Sequence, residues 1–137
     1  MFSNLKIKDA SGWTIFIFGV LALLSGLIGL LRPELLLAAL GFSVLPRETR
    51  SAGDYTILFL IASAMASFNI GVYYILAAFN DLKPFYKWTV PFRMLTFLVF
   101  TTAVLTGIAP GRFLVVGIWV LSGALATGFG LRFENKK

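Results

Sequence analysis

The stretch YTILFLIASAMASFNIGVYYILAAF, residues 55–79, runs for 25 residues without a charged side chain. A bilayer is crossed by about 20 apolar residues in an α-helix, so this stretch is long enough to span one. In lipid, each backbone amide needs a hydrogen-bond partner within its own segment, which makes a helix the expected form. The stretch therefore predicts a transmembrane helix, and it sets the fold class.

Three similar runs extend this prediction to the rest of the chain. The composition agrees, since 58% of the 137 residues are hydrophobic, only 13% are charged and the mean hydropathy is +0.88. The sequence predicts an all-α integral membrane protein with one domain over residues 1–137. We expect an up-and-down bundle of four transmembrane helices with a short interfacial helix after the first, and spans at about 13–31, 55–79, 90–109 and 113–131.

The connecting segments refine this outline. Pro33 stands where a short surface helix would begin, in the segment RPELLLAALGFSVLP. Pro84 and Pro91 predict a loop before the third span, because proline disrupts a helix interior. Within that loop, Tyr86 and Trp88 are expected at the level of the lipid headgroups.

The positive charges predict the orientation of the bundle. The net charge is +6, but the Lys and Arg residues are scattered between apolar runs and do not form a nucleic-acid-binding stripe. Seven lie on the side shared by both termini and four on the other, which favours cytoplasmic termini. We expect the lipid bilayer to be the main partner, no nucleic acid to bind, and the location to be a bacterial inner membrane.

The residue types that are absent exclude several kinds of chemistry. The chain has no Cys and no His, and none of its six acidic residues lies inside a predicted span. This excludes disulfides and the usual zinc and haem sites, and it argues against a proton-coupled exporter, which needs a buried carboxylate. We expect no metal, no cofactor and no catalytic residue; whether the chain is an enzyme stays open, with a non-enzymatic role favoured.

Small residues form stripes on two of the predicted helices. Such stripes let helix backbones approach closely, either within one bundle or between two copies of a chain. Packing within one bundle is the favoured interpretation, and a homo-oligomer face is the alternative. The residues concerned are Ser63, Ser67, Gly71, Gly117, Ala124 and Gly128.

Four polar residues within the spans are candidates for ligand binding: Asn69, Tyr73, Arg93 and Thr96. Asn69 and Tyr73 are one helical turn apart and could bond a neighbouring helix or a ligand headgroup. If the third helix begins near Pro91, Arg93 reaches outward to the lipid phosphates, which is the favoured interpretation. If it begins near Pro84, Arg93 lies deep enough to face the interior, with Thr96 as an additional donor.

A polar cluster precedes the second span, formed by Arg47, Glu48, Arg50 and Asp54. We expect a solvated loop whose charges pair with one another, with Asp54 favourably placed at a helix N-terminus. The entrance of a site is the alternative.

The chain resembles the small four-helix bacterial membrane proteins of the DoxX-like families. The residues that carry the resemblance are GLLRPELLLAALGF at the end of the first helix, ETRSAGD before the second and PGR before the last. The resemblance implies an accessory or uncharacterised membrane protein, in some families linked to respiratory or biosynthetic enzymes, and it assigns no catalytic residue. Small scaffold proteins of sterol biosynthesis share the same four-helix plan.

From the sequence we expect an accessory or scaffold protein. It would act through helix contacts with a membrane-protein partner or with a second copy of the chain. The alternative is a pocket inside the bundle for a lipid-like ligand, such as a quinone, an isoprenoid or a lipid. A membrane enzyme or a small-solute transporter is less favoured.

Overall fold

The computed structural model describes residues 6–134, and it contains five α-helices. They are α1 (Ala10–Leu31), α2 (Pro33–Ala39), α3 (Thr56–Phe79), α4 (Lys83–Leu105) and α5 (Leu114–Glu134). The four longer helices have the length and apolar composition needed to cross a membrane. The all-α fold class predicted from the sequence, a bundle of four long apolar helices, is confirmed.

The helices run alternately up and down, so each end of the bundle has its own set of connections. The terminal end carries Asp9, the turn between α3 and α4, and Glu134. The far end carries α2, the polar segment around residues 47–54 and a short turn at Gly111–Phe113. The order of contacts is α3 on α1, α1 on α5 and α5 on α4.

The ring of helices is open on one side. Although α3 and α4 follow one another in the chain, they share almost no packing along their length within residues 6–134. They meet near the terminal end, where Tyr74 of α3 makes an edge-to-face contact with Phe85 of α4 at 5.1 Å between ring centroids. From Arg93 towards the far end the two helices are separated by a gap.

The third long helix begins earlier than the sequence predicts. It starts at Lys83 instead of residue 90 and ends at Leu105 instead of residue 109. Pro84 lies in the first turn, where a missing N–H costs nothing because no intrahelical acceptor is available. Pro91 lies inside the helix, as transmembrane helices tolerate when neighbouring groups support the backbone. The predicted loop between the two prolines is therefore wrong.

Tyr86 consequently packs inside the bundle, where its ring does not face the lipid headgroups. Its side chain is fully buried, and its hydroxyl donates to the backbone oxygens of Ala77 at 3.2 Å and Ala78 at 3.4 Å. Trp88 is exposed, and its position at the level of the headgroups stays a prediction. These bonds hold the start of α4 against the end of α3.

Close contact between α1 and α3 depends on glycine. A Cβ atom added at Gly26 would lie 2.5 Å from the backbone nitrogen of Phe68, and one added at Gly71 would lie 2.5 Å from that of Leu23. Real Cβ atoms do not come so near a backbone, so these positions require glycine. The hydroxyl of Ser67 adds a hydrogen bond of 2.9 Å to the backbone oxygen of Ala22.

The small residues predicted to form packing faces mostly lie at contacts inside the bundle. Ser67 and Gly71 face α1, while Gly117 lies beside Phe97 and Phe100 of α4. Ala124 is fully buried, and Gly128 lies near Val90. Ser63 differs, because it is exposed along the gap between α3 and α4.

Candidate functional site

Arg93 lies near the middle of α4. It is ten residues beyond Lys83 in the 23-residue helix α4, about 15 Å from its start at 1.5 Å per residue. Its side chain is only 4% exposed. The favoured prediction, that Arg93 reaches outward to lipid phosphates, is therefore wrong. The early start of α4 places it deep in the bundle, and the side chain faces inward.

Threonine hydroxyls and aromatic rings surround the guanidinium. Nη2 of Arg93 donates to Oγ1 of Thr127 at 2.6 Å and has a longer contact of 3.4 Å with Oγ1 of Thr89. The guanidinium carbon lies 4.7 Å from the ring centroid of Phe18 and 5.9 Å from that of Tyr74. Cation–π contacts of this kind stabilise a charge by about 0.5–2 kcal/mol each.

These contacts satisfy only part of the guanidinium. Within residues 6–134, Nε and Nη1 of Arg93 are buried and have no hydrogen-bond acceptor. All six acidic residues of the chain belong to this part, and none forms an ion pair with Arg93. An unpaired buried charge costs several kcal/mol, even after the surroundings relax. Arg93 is thus a cation whose counter-ion the described chain does not provide.

The threonine hydroxyls around Arg93 have hydrogen-bond partners other than Arg93. Thr127 Oγ1 is 2.9 Å from the backbone oxygen of Gly123 and 2.9 Å from the hydroxyl of Thr14. Thr89 donates to the backbone oxygen of Tyr86 at 2.9 Å. Each hydroxyl therefore has a partner for its own proton, and the guanidinium is the group with unmet hydrogen-bonding capacity.

A cavity of about 950 Å³ begins at Arg93 and extends towards α2. Its size is that of pockets for small molecules, which span about 300–1,000 Å³. Apart from Arg93 and a few hydroxyl groups, apolar side chains from all five helices form its walls. Near Arg93 these include Phe18, Tyr74 and Trp119, and near the far end they include Leu36, Phe59 and Phe113.

The cavity opens sideways between α3 and α4. Phe59 of α3 and Phe92 of α4 border it, and they are 71% and 68% exposed. These helices have almost no packing against each other, so the gap between them connects the cavity with the space that lipid tails occupy around a membrane protein. A hydrophobic molecule can reach the cavity without crossing water.

The residues predicted to bind a ligand are placed differently. Arg93 and Thr96 both line the cavity, and the Thr96 hydroxyl is used by its own helix, donating to the backbone oxygen of Phe92 at 2.9 Å. Asn69 and Tyr73 do not border it, and Tyr73 is 59% exposed. One residue further along α3 turns the side chain by about 100°, so Tyr74 is the tyrosine that faces inward.

Several residues of the site were missed in the sequence. Thr89 lies one turn before Arg93, but it falls in the segment interpreted as a loop, so its pairing with Arg93 was hidden. Phe18, Trp119 and Thr127 come from other helices. No spacing within one chain segment relates them to Arg93, so only the packing of the helices brings them together.

The polar cluster before α3 is a paired loop at the far end. Nη1 of Arg50 is 2.7 Å from Oδ2 of Asp54, and Oδ1 of Asp54 accepts a bond of 2.9 Å from the backbone nitrogen of Thr56. Hydrogen bonds from Thr56 and Arg50 hold the pKa of Asp54 below its ordinary value. Arg47 pairs with Glu34 at 2.5 Å, and Glu48 is exposed. These residues do not line the cavity.

A second ionic cluster joins three helices at the terminal end. We call it the terminal cluster; it consists of Asp9, Ser11, Lys83 and Glu134. Nζ of Lys83 bonds Asp9, lies 2.7 Å from Oε2 of Glu134 and 2.9 Å from Oγ of Ser11. Glu134 also accepts from the backbone nitrogen of Ser11 at 2.9 Å. The starts of α1 and α4 and the end of α5 are thereby tied together.

The fold and the site define a class of protein: a small integral membrane protein with four candidate spans and a laterally open cavity that ends at a buried cation. Comparison with protein-family models, curated proteins and solved structures gave no match. The resemblance to the DoxX-like families stays a prediction.

Proposed function

We propose that this protein binds a lipid-like amphiphile in the cavity, with the polar end of the ligand at Arg93. The observation that carries the proposal is the pairing of an apolar cavity of about 950 Å³ with a buried guanidinium that has two nitrogens without acceptors. Ligand pockets are typically apolar with a few polar groups that fix the ligand's orientation. Arg93 is that group here.

The accessory or scaffold function favoured by the sequence has less support. It rests on small-residue faces available to a partner, whereas most of those residues contact other helices of the same bundle. We therefore place ligand binding first. For the cellular location we propose a bacterial inner membrane with the terminal end in the cytoplasm, on the basis of the charge distribution.

Native mass spectrometry of protein purified from membranes in a mild detergent tests the proposed function. We expect the wild-type protein to retain an amphiphile. The Leu60→Trp variant fills the cavity from α3 and should lose most of it, since Leu60 borders the cavity. The control is Leu58→Trp, because Leu58 is 61% exposed on α3 and does not border the cavity.

A wild-type protein that carries no amphiphile, and takes up none from added lipid extracts, would contradict the proposal. Equal retention by the wild-type and Leu60→Trp proteins would also contradict it, because binding would then lie outside the cavity.

A further inference from the structure

We infer that the ligand of this cavity is acidic: it carries a carboxylate or a phosphate that becomes the counter-ion of Arg93. This inference rests on the proposed function and makes its ligand class narrower. It distinguishes an acidic amphiphile from neutral lipid-like ligands such as a quinone or an isoprenoid alcohol, which the same apolar cavity could otherwise accept.

The first argument is charge. Arginine stays protonated in proteins, so burial does not remove its charge. The six acidic residues lie at the bundle's ends, and those that form ion pairs bond Arg47, Arg50 or Lys83. A neutral headgroup at the Arg93 wall of the cavity leaves the net charge unbalanced. An acidic headgroup there supplies the missing negative charge.

The second argument is the surroundings of Arg93. Nη2 is occupied by Thr127, while Nε and Nη1 remain without acceptors within residues 6–134. A Cβ atom added at Gly123 would come within 3.0 Å of Nη1 and 3.2 Å of the Phe18 ring. The absence of a side chain at Gly123 thus leaves room for the guanidinium, which the neighbouring helices hold in place.

The third argument excludes a free inorganic anion as the occupant. The cavity that begins at Arg93 is lined mainly by aromatic and aliphatic side chains. A small ion would pair with the guanidinium but leave this apolar volume unfilled, and the pairing would replace only part of the hydration that the ion loses. A molecule with an acidic end and an apolar body fills the volume and pairs with the charge.

The test uses three probes with the same alkyl chain, which differ only in the headgroup: palmitate, hexadecyl phosphate and hexadecanol. Delipidated wild-type protein is given an equimolar mixture of the three, and bound ligands are quantified by native mass spectrometry. We expect at least about tenfold preference for an acid over the alcohol, since a charge-assisted hydrogen bond is much stronger than a neutral one. A higher occupancy by palmitate identifies a carboxylate ligand, and a higher occupancy by hexadecyl phosphate identifies a phosphate ligand.

Variants assign the preference to Arg93. Arg93→Met should bind the acids no better than the alcohol, and Arg93→Lys should restore part of the preference because it keeps the charge. Arg32→Met is the control, since Arg32 is an exposed arginine at the far end of α1.

The outcomes separate the two proposals. Equal binding of acids and alcohol by the wild-type protein would overturn the acidic ligand and leave the proposed function intact. Binding of none of the three probes would count against the proposed function itself. Inorganic phosphate alone, binding as tightly as hexadecyl phosphate, would overturn the amphiphile.

Discussion

At the scale of single residues, Arg93 is the position where function and stability conflict. Its guanidinium is 4% exposed, two of its nitrogens lack acceptors in the described chain, and no carboxylate pairs with it. Aromatic rings at 4.7 and 5.9 Å offset only part of the cost. A residue that destabilises its own fold is expected where a ligand supplies the missing interaction.

We therefore predict that Arg93→Met makes the ligand-free protein more stable. Replacing even a buried ion pair by apolar side chains of similar volume often stabilises a protein, by up to about 1–4 kcal/mol, and an unpaired charge lacks the attraction that a pair has. The threonine hydroxyls keep their other partners, so the substitution leaves no hydroxyl proton without an acceptor. Thermal unfolding of delipidated protein followed by circular dichroism measures the effect, with Arg32→Met as the control. A lower melting temperature for Arg93→Met would show that the charge is already compensated.

At the scale of the elements, the sequence predicts the number and type of long helices but not where α4 begins. The apolar runs are long enough to identify each span, whereas prolines at 84 and 91 suggest a break. In the structure one proline occupies the first turn and the other is accommodated within the helix. That shift by seven residues changes the depth of Arg93, so an error in one boundary hid the site.

The contact between α1 and α3 gives a prediction about glycine. Gly26→Ala should destabilise the bundle, because the new methyl group would lie 2.5 Å from a backbone nitrogen and force the two helices apart. We expect a loss of about 1–3 kcal/mol, as for other overpacking substitutions. Gly128→Ala is the matched control, since its Cβ would meet Val90 at an ordinary 3.8 Å. Thermal unfolding of both variants provides the measurement, and equal melting temperatures would contradict the prediction.

The terminal cluster predicts a loss of stability in acid. Burial raises the pKa of Asp9, but hydrogen bonds from Lys83 and the backbone of Gly12 outweigh it and hold the pKa below the ordinary value of 3.8. A carboxyl with a lowered pKa in the folded state stabilises the protein above its unfolded pKa. That contribution is lost as the pH falls below 3.8 and through the folded pKa.

Asp9→Asn tests this pH dependence. The variant should be less stable near neutral pH and should lose less stability than the wild-type protein between neutral pH and pH 3, a range that covers the ordinary Asp pKa of about 3.9. Glu48→Gln is the control, because Glu48 is exposed and forms no ion pair among the described residues. Identical pH profiles for Asp9→Asn and the wild-type protein would contradict a role for Asp9 in the cluster.

At the scale of the whole molecule, four helices form a ring with one open side. Contacts run from α3 through α1 and α5 to α4, and the ring does not close between α3 and α4. Periodicity and composition identify helices that cross a membrane, but they do not say which neighbours pack tightly. The cavity therefore could not be predicted from the sequence, since it arises where α3 and α4 do not pack against each other.

The orientation of the whole bundle is testable because the chain has no native cysteine. Single cysteines introduced as Asn80→Cys, at the terminal end, and Ser51→Cys, at the far end, both occupy exposed positions. In intact cells, a maleimide that cannot cross the membrane should label only the far-end cysteine if the terminal end is cytoplasmic. After the cells are broken, both should react. Labelling of the cysteine at position 80 in intact cells would reverse the proposed orientation.

The depth of Arg93 determines how a bound amphiphile sits relative to the two leaflets. With its acidic end about 15 Å inside α4 and its apolar body directed towards α2, such a molecule points the same way as lipids of the leaflet at the terminal end. It lies deeper than those lipids, however, so its headgroup must leave the aqueous interface when it moves sideways into the gap. Dehydration of that headgroup, more than the length of its chain, is then expected to govern how fast ligands exchange.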